Sequence, residues 1–454
     1  MLQGHVRNAW LGLGGVTALI VGGAQAFAMP SVFPTGVTLH DPEAAYQGYV
    51  LFPGGDQNTH LIDMDGNEVH RWAYRSFPPV PLTPEQAGGE RGRLLVQSGR
   101  VDTPKGPSGP GNGLTNASIA EVDWSGARHW TWGTQNAPAA QHHDMSRLPN
   151  GNTLLLSAKA RHLPGFAAPE VVDNDIVEVR PDGSVAWRWK ASEHLDQMGF
   201  SRAALSRIKA SDDPDFLHLN TVTPLGPNQW FDDGDARFAP DNLMVNARNA
   251  NVAFIVDRKT GDIVWRLGPD FEQTRASTSR TLPRPVDQLI GAHDVHLIPK
   301  GLPGAGNLLI FDNQGNAGFP PADQSIFSFS RVLEVNPRTK EIVWLYTADQ
   351  SGREAWSFYS AFISSAQRLP NGNTLIDEGQ DGRLFQVTPK GRIVWEYVSP
   401  FFGKSEPGNT YVTNGVYRAE LLDYDWAPKG TPHASHAVTP QCTPKQQVLD
   451  CTRP

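Results

Sequence analysis

Three histidines and one arginine hold the reactive chemistry of this sequence. The phrase His143-Asp-Met-Ser-Arg-Leu-Pro149-Asn-Gly-Asn returns as His293-Asp-Val-His-Leu-Ile-Pro299-Lys-Gly and as Ser364-Ser-Ala-Gln-Arg-Leu-Pro370-Asn-Gly-Asn. Counting six residues back from each proline gives His143, His293 and Ser364. Copies of one supersecondary unit stack or close radially, so equivalent positions face one axis. His218, in Asp215-Phe-Leu-His218-Leu-Asn220, and Arg248, in Leu243-Met-Val-Asn-Ala-Arg248, come to the same level. A guanidinium presents a fork of donors matched to a tetrahedral oxyanion. A neutral imidazole is a nucleophile. The set points to an oxyanion held at the axis beside a histidine able to attack it.

Plainer readings compete. A lone histidine at a strand start is ordinarily a hydrogen-bonded scaffold residue, and His142, His162 and His296 are read so. Arg248 by itself would be a surface or ion-pair residue. Three histidines also suit zinc, but no His-x-x-x-His pair or cysteine ligand accompanies them, and no metal is expected. Asp232, Asp233 and Asp235 lack the spacing and distal glutamate of an EF-hand and read as a solvated loop.

The elements that position these residues repeat as well. A strand, a polar turn and a strand ending in Trp recur in six copies, whose turns begin at Ile62, Val122, Val179, Val256, Val335 and Val387. They lead to Trp72, Trp130, Trp187, Trp265, Trp344 and Trp395. Gly, Asn and Asp at the turns accept the positive φ of hairpins, and Val, Ile and Trp suit packed strands. In the third unit the strands are expected at 144–148, 153–157, 176–180 and 184–189. Six such units predict an all-β fold, a six-bladed β-propeller of four-stranded antiparallel blades, with the tryptophans packed between neighbouring blades. Insertions at 191–214, 229–241 and 270–288 fall in loops, where sites are often built. Outside 191–210 nothing reads as a long amphipathic helix. Residues 416–424 read as a closing strand.

Composition agrees: 44 Gly, 37 Pro and 13 Trp suit short strands and tight turns. A net charge of −8 with scattered basic residues argues against nucleic acid or an anionic membrane surface as partner. Arg7, the apolar run from 9 to 21 and Ala26-Phe-Ala28 read as a signal peptide cut after Ala28, leaving no stable membrane association and an exported, periplasmic protein. The expected division is signal peptide 1–28, lead-in 29–47, catalytic propeller 48–426 and Pro-rich tail 427–454. The two cysteines, Cys442 and Cys451, suggest a disulfide tying down the tail, worth about 2–3 kcal/mol.

The chain resembles the bacterial arylsulfotransferases that do not use the nucleotide donor PAPS. The resemblance rests on His142-His-Asp with Leu148-Pro-Asn-Gly-Asn152, on His218-Leu-Asn220, and on Asn246-Ala-Arg248-Asn with Asp257-Arg-Lys-Thr-Gly-Asp-Ile-Val-Trp-Arg-Leu-Gly268. It continues through His293-Asp with Phe311-Asp-Asn313, and Arg368-Leu-Pro-Asn-Gly-Asn373 with Val394-Trp-Glu-Tyr397, and covers 48–424. It implies a six-bladed periplasmic propeller with the site at the channel centre. It also implies a ping-pong reaction without cofactor, in which a histidine takes a sulfuryl group from an aryl sulfate and passes it to a phenol. By motif, His293 matches the nucleophile, His218 and Arg248 the residues that hold the sulfuryl oxygens, and His143 a further active-site histidine. The choice of His143 over His142 rests on register with His293. Ser364, Asn220 and Phe358 are expected against the substrate, with Phe216, Trp356 and Tyr359 as further aromatic walls. Two departures stand out. There is little room before Gly48 for the N-terminal β-sandwich of better-known members, and the interval from His218 to Arg248 is lengthened. A non-catalytic binding propeller and a quinone- or metal-dependent propeller enzyme are the competing readings.

Overall fold

The structure is a computed structural model that describes residues 34–100, 115–269, 284–285, 289–321, 328–404 and 412–440. The expected signal peptide and the cysteines Cys442 and Cys451 lie outside the described residues. Short antiparallel strands rich in Val, Ile and Leu dominate, separated by polar turns. In the first turn Asp63 Oδ1 accepts from the Asn67 N–H at 2.9 Å, and Gly66 takes the left-handed φ of 81° that the turn needs.

Hydrogen bonding assembles the strands into sheets of five, eight, four, five and four. The architecture is an all-β propeller with four-stranded antiparallel blades. The expectation of six separate sheets is corrected. Four sheets stand alone, and the eight-stranded one runs through the second and third expected units. One residue pair, Asn116↔Gln141, joins those units. The Ala139 N–H donates to Ala117 O at 2.8 Å beside this pair, and the Asn116 amide reinforces it, its Nδ2 donating to Gln141 O at 3.2 Å and to Gln141 Oε1 at 3.0 Å. The third unit contains Gln141–Arg147, Thr153–Arg161, Val171–Val179 and Val185–Lys190, longer at the axial end than the sequence suggested.

The two ends of the chain close the ring. Glu420–Leu422 pairs with Tyr49–Pro53 as an edge strand of the first sheet. Gly36–His40 adds a fifth strand to the last sheet by pairing with Ile393–Val398. The closing strand is shorter than expected, and Val416 and Tyr417 before it are buried.

Apolar side chains pack between successive units. Leu154 and Ile176 meet Val222 and Val245 in one such layer, and Phe52 and Ile62 meet Leu375 and Leu384 in another. The tryptophans form a second layer of connection. Trp72 Nε1 donates to Asp123 O, Trp132 to Gly183 O, Trp189 to Gly261 O, Trp265 to Pro337 O and Trp344 to Pro389 O. Trp395 then donates to Met64 O at 2.9 Å and completes the circuit. Each link ties the end of one unit to the polar turn of the next, so every indole satisfies its N–H while its rings are packed.

The segment 191–210 forms a 3-10 turn, Ala191–His194, and a separate helix, Arg202–Ala210, capped by Ser201 Oγ on the Ala204 N–H. The insertion 229–241 folds into short helices whose Trp230 and Phe238 enter the core, while Asp232 pairs with Lys300 and Asp235 with Arg237 at the surface.

Candidate active site

The axial ends of the inner strands are irregular. Five residues, Gln141 to Met145, lie opposite three, Leu155 to Ser157, at the start of Gln141–Arg147, and one extra residue bulges between His293 and His296. His143 has φ 54°, His218 52°, Asp294 52°, Ile363 58° and Ser364 88°. Such values are costly for non-glycine residues and gather at functional sites. The aspartates after the repeated histidines do equivalent work. Asp144 Oδ2 accepts from the Val222 N–H at 2.9 Å, and Asp294 Oδ2 accepts from the Ala366 N–H at 3.2 Å. Both are drawn to Arg418, at 2.9 and 3.4 Å. His143 and His293 are therefore equivalent in the fold, as their phrase implied.

His293 is buried, and its two ring nitrogens differ. Nδ1 lies 2.8 Å from Asn313 Oδ1 and 3.1 Å from Gly291 O, both acceptors, so Nδ1 carries the proton. Asn313 is itself fixed, its Nδ2 donating to Ser360 O at 2.7 Å and to Ile363 O at 2.8 Å. Nε2 keeps its lone pair and accepts the Ile363 N–H at 3.2 Å. Burial, and then the Arg248 charge, hold the imidazole well below the ordinary histidine range, so the ring is neutral.

Arg248 follows the strand Leu243–Ala247, and its backbone N–H donates to His218 O at 3.1 Å. Its guanidinium donates to Asn249 Oδ1 at 2.7 Å, to Ala361 O at 3.4 Å and to Asn316 O at 3.5 Å. All of these acceptors are neutral; the Asp215 carboxylate acts on the guanidinium only through its field, while burial lowers the Arg248 value. Ala361 and Ile363 thus touch Arg248 and His293 respectively, bringing guanidinium and imidazole to one short segment. Gly315 lets that segment approach, since a Cβ there would lie 2.1 Å from Ala361 O.

His218 and His143 face each other, Nε2 to Nε2, at 3.1 Å. On the far side of His218, Nδ1 lies 2.6 Å from Asp215 Oδ2. Burial alone would raise the Asp215 carboxyl, but the hydrogen bond from His218, and the charge that ring carries whenever it is protonated, keep it below the usual carboxylate value. On the far side of His143, Nδ1 lies 2.8 Å from His142 Nδ1. Burial and the neighbouring His218 push His142 down to about 4 and His143 well below its ordinary value. An aromatic wall adjoins the set. Phe77 stacks on Tyr417 at 3.7 Å, and the Tyr417 ring lies 5.8 Å from His143 and 6.5 Å from His293.

The structure thus brings His143, His218, Arg248 and His293 together. Tyr359 lies close enough to act on the Arg248 charge, while Trp356 is exposed. Four other expected contacts are not made. The Asn220 amide donates to Ala292 O at 2.9 Å and accepts from Asn246, so it buttresses the backbone before His293. Ser364 Oγ is spent on Ser360 Oγ and the Gly379 N–H, both at 2.9 Å. Phe358 and Phe216 are fully buried in apolar clusters, Phe358 among Phe311, Tyr346 and Phe385. None of these four side chains is free for a ligand. Sequence reasoning missed Asp215, Asn313, Phe77, Tyr417 and the use made of His142. Asp215 sits three residues before His218 and Asn313 closes a quoted motif, so both were within reach.

Comparison with known proteins fits this arrangement. No curated protein matches. Solved structures that align are distant. A protein of unknown function from Bacteroides caccae is 13% identical with TM-score 0.46, over 82% of this chain and 98% of its own. The Pseudomonas aeruginosa periplasmic gluconolactonase PpgL is 12% identical with TM-score 0.38, over 81% and 99%. The β-propeller domain of Cps50 (Swd1) from Myceliophteria thermophila is 10% identical with TM-score 0.39, over 81% and 88%. The family model of arylsulfotransferase (ASST) matches residues 90–399, which include every residue of the histidine and arginine cluster. The chain belongs to the arylsulfotransferase (ASST) family.

Proposed function

We propose that the protein moves a sulfuryl group from an aryl sulfate to a phenol in two half-reactions, through a sulfated His293. The observation that carries this reading is the pairing of a neutral imidazole, whose Nε2 lone pair is held only by the Ile363 N–H that an incoming sulfuryl group would displace, with a guanidinium whose hydrogen-bond acceptors are all neutral. In the first half-reaction Nε2 of His293 attacks sulfur in line. The N–S bond forms, the bond from sulfur to the aryl oxygen breaks, and a phenolate leaves. Charge on the peripheral oxygens is met by Arg248 and by donors already in place, so catalysis is mostly positioning and electrostatics. In the second half-reaction an acceptor phenol gives its proton to His218 Nε2, with Asp215 stabilising the imidazolium, while its oxygen takes the sulfuryl group and frees His293. That proton then passes to solvent, where it balances the released phenolate, and His218 Nε2 is bare again before the next donor binds. Phe77 and Tyr417 supply a face for the aryl ring.

We also read the eight-stranded sheet as two blades, which makes the propeller six-bladed. The tryptophan circuit and the six separate apolar clusters between units support this count. The protein is proposed to act after export to the periplasm.

The test is nitrophenolate release from 4-nitrophenyl sulfate by the protein lacking residues 1–28, with EDTA present, with and without phenol. Phenol-dependent release is expected. Release independent of phenol would indicate hydrolysis, and loss of release with EDTA would indicate a metal enzyme. No release with any aryl sulfate would favour a binding propeller.

A further inference from the structure

His142 is buried and makes one hydrogen bond through its ring, to the histidine that follows it. Its Nδ1 lies 2.8 Å from His143 Nδ1, with the two rings 86° apart. Its Nε2 is buried without a hydrogen-bond partner. Two nitrogens at that distance share a single proton, and the ring that owns it fixes the tautomer of the other.

The neighbours decide the ownership. Asp215 holds the proton of His218 on Nδ1, so His218 Nε2 is bare when that ring is neutral. His143 Nε2 faces it at 3.1 Å. Suppose His143 carried its proton on Nδ1. Two lone pairs would then oppose each other unless His218 became a cation. His142 would also have to carry its own proton on Nε2, a buried N–H with no acceptor, and orphan donors of that kind are rare and costly. The Ser157 carbonyl pulls weakly on the His142 ring, but no hydrogen bond to Nε2 forms. With the proton on His142 Nδ1 every contact is satisfied: His142 Nδ1–H to His143 Nδ1, His143 Nε2–H to His218 Nε2, and His218 Nδ1–H to Asp215. Each ring is neutral, and the only orphan is a lone pair.

We propose that His142 is a positioning residue that locks His143 as its Nε2–H tautomer, so that His143 and His218 together recognise a phenolic hydroxyl. This rests on the sulfuryl-transfer reading above. The direct Nε2-to-Nε2 contact of 3.1 Å fills this place in the free protein; a hydroxyl oxygen that replaces it as the rings part accepts the His143 N–H and donates its own proton to the bare His218 Nε2. An ether offers only half of that pattern, and so does an aryl group without a hydroxyl. No proton leaves His143, which acts as a neutral donor. His293 is held in the opposite tautomer by Asn313, so one pocket contains an imidazole that donates and an imidazole that attacks.

The test is ¹⁵N NMR of histidine-labelled protein together with phenol-dependent turnover, for the wild type and for His142→Leu and His142→Asn. In the wild type the His143 signals should show Nε2 protonated and Nδ1 bare. His142→Leu should mix the two tautomers and lower turnover about 100-fold. His142→Asn, which can still donate to Nδ1, should restore the tautomer and most of the rate. A wild-type His143 protonated on Nδ1 would overturn the assignment, and this spectrum decides even if His142→Leu fails to fold. Wild-type tautomer and wild-type turnover in folded His142→Leu would overturn it too. Absence of turnover in the wild type counts against sulfuryl transfer, while the spectrum still decides the tautomer.

Discussion

His293 anchors one ring nitrogen on Asn313 and gives the other, in the proposed reaction, to attack; each half can be tested. Replacing His293 by Ala should abolish transfer without unfolding the chain, since the side chain's hydrogen bonds are to neutral groups, Asn313, Gly291 and the Ile363 N–H, that hold no buried charge. The checks are nitrophenolate release and a thermal melt. Arg248→Lys keeps a charge but loses the planar fork, and should lower kcat/KM about 100-fold. The His293 imidazole titrates well below the ordinary histidine value, so the neutral, attacking form persists as pH falls. The single-turnover burst of nitrophenolate should therefore continue below pH 6.5, the ordinary histidine value, and a burst lost at that pH would contradict the buried environment. At this scale the sequence was partly legible. The His-Asp phrase located His143 and His293 because equivalent repeat positions share an axial level. It misjudged Ser364, Asn220 and Phe358 because level does not fix direction. Bulges of different size turn the side chains differently, and buried hydroxyl and amide groups must satisfy their own neighbours first.

The strands and their turns work as linked units, and the tryptophans are the couplings. Trp395 is fully buried and its Nε1–H reaches Met64 O, joining the last unit to the first. Trp395→Phe should cost about 1 kcal/mol, the value of the lost hydrogen bond. Trp395→Ala should cost about 3–5 kcal/mol because a cavity is added. Trp130, which donates to Pro181 O from a more exposed position, should lose less in the same change to Phe. Denaturant titration of the three variants gives the comparison. The turn-strand-Trp phrase made these units readable, since hairpin turns and packed indoles leave strong local signals. The join at Asn116 and Gln141 was not readable. It depends on backbone and side-chain amides meeting another strand, and nothing in either segment marks the encounter.

Across the whole molecule, a buried ionic knot ties distant units together. Arg418, beside the closing strand, meets Asp144 and Asp294, and burial pushes the nearby Glu420 up to about 7. A carboxyl whose folded value is raised contributes its stability fully below the unfolded value near 4.5 and loses it as pH rises toward 7. Glu420→Gln removes that loss. Its melting temperature relative to the wild type should therefore climb between pH 5 and pH 8, and a difference that stays flat would show that Glu420 is not buried in this way. The same closing segment has a consequence for when the protein becomes itself. Tyr417, Arg418 and the strand Glu420–Leu422 complete a ring whose first members were laid down at Tyr49–Pro53. A ribosome makes the early strands long before their partner, so a nascent chain waits with one unit unfinished and its central ion pairs unmade. The axial pocket is among the last things the polypeptide acquires, and a copy that stops before Glu420 leaves the ring unclosed.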